Sequence, residues 1–367
     1  MKSQNKQVLD WAVETVRTKY PDDIAILAVY GSYVNGTSHP LSDVDFFFIP
    51  KNKRGYEAAR TFIIGGIGYD LFPMSWERVE GLSCLKEAIV PLLGDSLVAY
   101  HSSEEDLRRF MSLRARLCEN LANRGFMLAK ALEALGKAEE GYRRMLTAEG
   151  VRKTRSFCGR VLLALSDAMA YSNGTYFHKG LKGQYDDLRS MASLPEGFLV
   201  QYDACIEAGD VSELRSAARS MLALCRSHLK PGHTASELES QPVMPATAEP
   251  HSGAVEKAPV VSGTAVDYKE LVSLYEEALS TFNKVYHYCS PNVNDHRMAF
   301  ISAINLQQVL DEEVQALGLD VLTSFDHRDL QGLAACAKSA EARLVSFISE
   351  GADIRRFADF DEFSSNT

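Results

Sequence analysis

Three regimes of hydrophobic patterning divide the chain. In the first, Val8, Leu9, Ala12, Val13 and Val16 recur at helical spacing behind Ser3, a residue type that caps helices, so residues 3–19 are expected to be helical. Pro21-Asp22-Asp23 breaks that helix. An unbroken apolar run from 24 to 30 then reads as a strand that stops at Gly31-Ser32. After the polar loop Asn35-Gly36-Thr37-Ser38-His39-Pro40, residues 43–49 read as a second strand. Residues 61–64 and 67–73 read as two more around Gly65-Gly66. Residues 75–93 look helical as far as Pro91, and 97–100 as a last short strand.

The second regime is helical. Ser103 precedes Glu104, Glu105 and Asp106, whose charges suit the first turn of a helix. Helical periodicity then runs to about residue 230, with interruptions near Gly150, Asn173-Gly174 and Pro195. Strands first and helices after predict an α+β fold: a small mixed β-sheet domain (1–102) followed by an α-helical bundle (103–230). Residues 231–264 hold five prolines and no aromatic residue, the composition of a flexible linker. The third regime, 265–350, is helical again, with Leu271, Leu274, Tyr275, Ala278, Leu279 and Phe282 on one stripe; it is expected to be a separate C-terminal helical domain with a fraying tail.

Composition narrows the function. A net charge of −10 argues against a general affinity for nucleic acid. Seven scattered cysteines without a C-x-x-C pair read as reduced thiols, and the polar N-terminus and the absence of long apolar runs point to a cytoplasmic protein with no membrane partner.

The chemistry concentrates in Gly31-Ser32 and Asp43-Val44-Asp45. Two carboxylates two apart on a strand share a face, while Val44, Phe46 and Phe48 turn to the other. Such a hard-oxygen pair suits Mg²⁺, and two ions about 4 Å apart could be held there. Glycine lets a ligand approach the backbone, amides at a helix start favour a phosphate, and the Ser32 hydroxyl adds a donor. Asp70 interrupts an apolar strand, where an ionised group is costly unless a metal or partner compensates it. A D-x-D or a Gly-Ser turn alone carries little; the three in order on strands are far more specific.

Gly31-Ser32, ten residues, then Asp43-Val44-Asp45 resembles the G-S…D-x-D signature of the polymerase-β-like nucleotidyltransferase superfamily, and the helices behind it resemble those of aminoglycoside and lincosamide nucleotidyltransferases. The likeness covers residues 24–73 well, extends loosely to about 230 through the segment 163–177, and does not reach 231–367. It implies that Gly31 and Ser32 contact the β- and γ-phosphates, that Asp43 and Asp45 ligate both Mg²⁺ ions, and that Asp70 ligates the ion nearer the acceptor and helps deprotonate the attacking hydroxyl. The nucleotide would be a nucleoside triphosphate, ATP first among them. Relatives draw a general base from the helical domain; here Glu119, Glu133, Asp167 and Asp186 are all candidates, and the acceptor stays open.

The leading reading is transfer of a nucleoside monophosphate to a small hydroxylated molecule such as an antibiotic. The alternatives are modification of a protein side chain or RNA end, and a non-catalytic nucleotide-binding module. Arg152, Lys153, Arg155 and Arg160 either meet the triphosphate or form a solvated helix face. Tyr171, Tyr176, Phe177 and His178 either stack on a base or fill the core. Lys51, Lys53 and Arg54 read equally well as loop solubilisers, and the C-terminal helices as a regulatory, substrate-binding or homodimer-forming unit.

Overall fold

The computed structural model describes residues 3–230, 261–262 and 265–367, so the linker expected at 231–264 lies almost wholly outside the described residues. Helix α1 (Gln4–Lys19) leads into strand β1 (Ile24–Tyr30), the single-turn α2 (Ser32–Asn35) and β2 (Asp45–Pro50). β3 (Arg60–Ile64) and β4 (Ile67–Pro73) form a hairpin across Gly65-Gly66, both at positive φ as a tight turn of this kind requires. Helix α3 (Trp76–Ser83), α4 (Pro91–Gly94) and β5 (Leu97–His101) complete the N-terminal unit. The α+β class read from the sequence is the observed one.

The boundaries differ in informative ways. Ser3 occupies the cap position of α1, yet its side chain makes no capping bond. The helix expected over 75–93 ends at Ser83, where Lys86 N–H donates to the Gly81 carbonyl and Leu85 takes positive φ. Pro91 starts α4 instead of stopping a helix, because its missing N–H costs nothing in a first turn.

The sheet order is β5-β1-β2-β4-β3, extended at its far edge by β8 (Arg356–Phe357). β1 runs antiparallel to β2 and β5, β3 antiparallel to β4, and β2 parallel to β4. Alternation along β2 sends Val44, Phe46 and Phe48 into one apolar layer with α1, and Phe47 and Ile49 into the opposite layer with α3 and α5.

Helices α5 (Glu104–Ala122), α6 (Arg124–Thr147), α7 (Gly150–Ser172), α8 (Gln184–Ser190), α9 (Phe198–Glu207) and α10 (Val211–Leu229) follow. Ser103 caps α5, its Oγ accepting from the Asp106 amide. The break between α5 and α6 carries neither glycine nor proline; Asn123 makes it by capping α6 through the Phe126 amide. Past the two-residue strands β6 (Val261–Ser262) and β7 (Ala265–Val266) come α11 (Tyr268–Cys289), α12 (His296–Glu313) and α13 (Leu330–Ile348).

These last helices, expected as a domain of their own, share one apolar cluster with α6, α7, α9 and α10. Ile304 packs on Gly159 of α7, Arg152 pairs with Asp311 at 2.8 Å, and the buried Arg155 donates to the carbonyls of Leu322 and Ala208. α11 also lies on the sheet. A Cβ on Gly68 would overlap the Glu276 carbonyl, so only glycine lets the helix sit that close to β4. Thr61 Oγ1 donates to Glu276 at 2.6 Å, and Asn283 Nδ2 to the Gly66 carbonyl at 3.1 Å.

The tail does not fray. β8 adds to the edge of β3, and in α14 (Phe360–Ser364) the fully buried Phe363 packs on Phe62 and Trp11 at 4.4 and 4.9 Å. Covering an open edge and burying an aromatic anchor offsets the ordering entropy of a short polar segment. No helix among the described residues is long and apolar enough to cross a membrane.

Two outcomes test this packing. Gly68→Ala should lower stability by about 1–3 kcal/mol, the cost of overpacking, read as a drop in melting temperature. Cleavage at an engineered protease site within residues 231–260 should leave fragments that co-elute on gel filtration, since the contacts of α11, α12 and β8 are untouched; separation of the fragments would contradict the shared core.

Candidate active site

The site forms where β1, β2 and β4 reach one end of the sheet. β1 and β2 pair Tyr30 with Asp45, and β2 and β4 pair Phe46 with Leu71, so one step earlier Asp45 and Asp70 lie side by side on neighbouring strands. Strand spacing brings such neighbours to about 5 Å between backbones. Tyr30, Phe47 and Phe72 form an aromatic floor on this face, with ring centroids 6.1 to 6.4 Å apart.

Gly31 follows Tyr30 at φ +71°, a conformation L side chains rarely adopt, and a Cβ there would overlap the Asp45 carboxylate. Both constraints demand glycine. Ser32 opens α2; its Oγ is buried and has no hydrogen-bond partner among the described residues. A buried hydroxyl without a partner is costly, and a ligand oxygen beside it would relieve that cost.

The strand expected over 43–49 begins only at Asp45, so Asp43 lies two residues before it, in the last stretch of the 36–44 loop. A turn fixes it there. The Ser42 amide donates to the His39 carbonyl at 2.8 Å, the His39 amide donates to Ser42 Oγ at 3.0 Å, and Asn5 of α1 donates to the Ser42 carbonyl at 3.0 Å. Val44 is buried in the α1-side layer, with the partly buried Asp43 before it and Asp45 after it.

The sequence-predicted carboxylates lie close enough to act on one another electrostatically. Burial, followed by the fields of Glu277, Asp43 and Asp45, raises the Asp70 carboxyl from the usual range to about 7. Burial, then Asp45, Asp43, Asp70 and Glu277, pushes the Tyr30 phenol well above its ordinary value. Glu277 is the member that sequence reasoning missed. It lies exposed on α11, next to the Glu276 that bonds Thr61, and Thr61 pairs directly with Asp70 in the β3–β4 ladder. A glutamate some 200 residues along the chain, on a helix with ordinary amphipathic patterning, carries no signal of this.

The other candidates lie elsewhere. Glu133 pairs with Lys130 and Lys137, Asp186 with Arg189, and Glu119 is exposed on α5. Burial raises Asp167 to about 7, but the charge that acts on it is Lys137. Arg152 and Arg155 hold the C-terminal helices to α7, and Arg160 stacks on Phe157. Tyr176 and Phe177 are core residues; Tyr176 OH and His178 Nδ1 grip the two oxygens of Asp95 at 2.8 and 2.9 Å. Lys51 pairs with Asp106 and Arg54 with Asp23, tying their loop down.

All the donors at the site are hard oxygens, a set that suits a divalent cation. Among the described residues no three His, Cys, Asp or Glu side chains form a ready-made metal cage. The carboxylates instead border one sheet end, where their mutual repulsion would be relieved by a cation. No curated protein matches the chain. Residues 9–87, which span α1 to α3 and contain Gly31, Ser32, Asp43, Asp45 and Asp70, match the family model of the nucleotidyltransferase domain: this part of the chain is a nucleotidyltransferase domain of the polymerase-β-like superfamily.

Proposed function

We propose that the chain transfers a nucleoside monophosphate from a nucleoside triphosphate, ATP first among the candidates, to a hydroxyl of a small acceptor. The observation that carries this reading is the placement of Asp45 between the Gly31-Ser32 turn on one neighbouring strand and Asp70 on the other. Asp43, Asp45 and Asp70 would hold two Mg²⁺ ions, which when bound supply neutralisation of charge on the attacking and leaving oxygens.

The chain's own residues position the reactants. Gly31 leaves room for a phosphate against the backbone, and the Ser32 hydroxyl donates to a phosphate oxygen. Asp70, most affected by burial and bordered by Glu277, faces the acceptor side and helps take the hydroxyl proton. A fourth carboxylate at Glu277, together with the net charge of −10, disfavours a polyanionic acceptor and favours a neutral or amine-bearing small molecule. An aminated, hydroxylated antibiotic has that chemistry.

Titration calorimetry with ATP, GTP, CTP and UTP should detect binding with Mg²⁺ and none in EDTA; equal affinity in both would sink the reading. Asp43→Asn and Asp45→Asn should each lower transfer by about a thousandfold or more while the melting temperature holds or rises, since each removes a charge from a repelling cluster. Asp70→Asn should impair turnover more than triphosphate binding.

Asp70 also predicts a pH dependence of stability. Its folded pKa of about 7 lies above the unfolded value, so the folded state holds a proton that the unfolded chain has released. The associated stability is full below about pH 4 and is lost as pH rises through about 7. Wild type and Asp70→Asn should therefore melt together near pH 4, and the variant should melt higher at pH 8. Thermal scans across that window check the sign.

A further inference from the structure

We propose that His287 of α11 is a positioning residue for the loop that carries Asp43. The inference rests on the nucleotidyltransferase reading above and extends the working site to a helix outside residues 9–87. Between Gly36 and Asp45 the chain forms neither helix nor strand, so the place of Asp43 depends on what holds this loop.

One hold is the imidazole stack. The rings of His39 and His287 lie face to face, with centroids 3.8 Å apart and planes 10° from parallel. The buried Tyr288 meets both edge-on, at 6.4 Å from His39 and 5.0 Å from His287. The His39 ring is part of the turn itself, because its Nδ1 accepts from the Leu41 amide at 3.2 Å. The same turn ties His39 to Ser42 by two hydrogen bonds, and Asp43 is the next residue.

The other end of the stack is a fixed reference. α11 is locked to the sheet by the close approach at Gly68, by Thr61 to Glu276 and by Asn283 to the Gly66 carbonyl. β4, which carries Gly68, also carries Asp70. The geometry therefore sets Asp43 and Asp70 relative to one another twice: once through the sheet, and once through α11 and the stack. Asn5 supplies a further hold on Ser42 from α1, so removing the stack loosens the loop without unfolding it.

The test compares His287→Ala with His287→Phe in the full chain. Phenylalanine keeps a flat ring on His39, whereas alanine removes it. Hydrogen exchange of residues 37–43 is read without any ligand, and magnesium–ATP affinity is read by calorimetry. His287→Ala should speed exchange in 37–43 and weaken magnesium–ATP binding roughly three- to tenfold, the range that aromatic pairs support, with an unchanged melting temperature. His287→Phe should restore both.

Wild-type exchange and affinity in His287→Ala would overturn the proposal. So would a lowered melting temperature in both variants with no rescue by phenylalanine, which marks a purely structural contact. If wild type binds magnesium–ATP, Asp45→Asn does not, and His287→Ala matches wild type, only the positioning role fails. If wild type binds no magnesium–triphosphate, the nucleotidyltransferase reading fails, and the exchange measurement still decides the role of His287 in the loop.

Discussion

Mutual repulsion among the carboxylates at one end of the sheet is the constraint around which the N-terminal half is built. Asp43, Asp45 and Asp70 are close enough to act on one another and on Tyr30, and burial strengthens each of those interactions. A sequence optimised only for stability would not gather them there. The fold holds them by committing its most rigid parts: the paired register of β1, β2 and β4, the fully buried phenylalanines of β2, and a glycine whose place no other residue could take beside Asp45.

The C-terminal third intensifies that constraint. α11 covers the face of β3 and β4 that bears Thr61, Gly68 and Asp70, and brings Glu277 to the same sheet end. Its approach depends on Gly68 lacking a side chain, and its anchorage on a shared apolar cluster that runs from Ile63 of the sheet through α7 to α13. Burial is the leading reason that Asp70 resists ionisation, and the field of Glu277 on this helix adds to it. The edge strand β8 then pairs with β3 and Phe363 packs on Phe62, so the chain after residue 260 contributes to one edge and one face of the sheet that precedes it.

Charged and aromatic residues of the helical region serve assembly more than chemistry. Arg155 is buried with its amino groups on two carbonyls from different segments, which leaves it no freedom to reach a phosphate. Arg152 spends its charge on Asp311 and lies 3.6 Å from Asp320. Tyr176 and His178 share Asp95, fastening the loop after α7 to the segment before β5. In each case a local sequence pattern that suited two roles was assigned by the partner found across the fold.

The sequence by itself determined what short-range physics encodes. Alternation in 43–49 and 67–73, the glycine pair between the strands, and the Gly-Ser…Asp-x-Asp spacing were sufficient to place the sheet with Asp45 and Asp70 on it, because β-strand periodicity and turn chemistry are local properties. Helical periodicity likewise located α5 to α7 and α11. Tertiary structure alone decided the rest. That the Phe-containing tail completes the sheet, and that Glu277 and His287 stand beside residues 70 and 39, depends on contacts between segments more than 200 residues apart. Amphipathic patterning shows that a helix has a buried face, but not what buries it; only the packing of α11 on Gly68 decided that Glu277 would border Asp70.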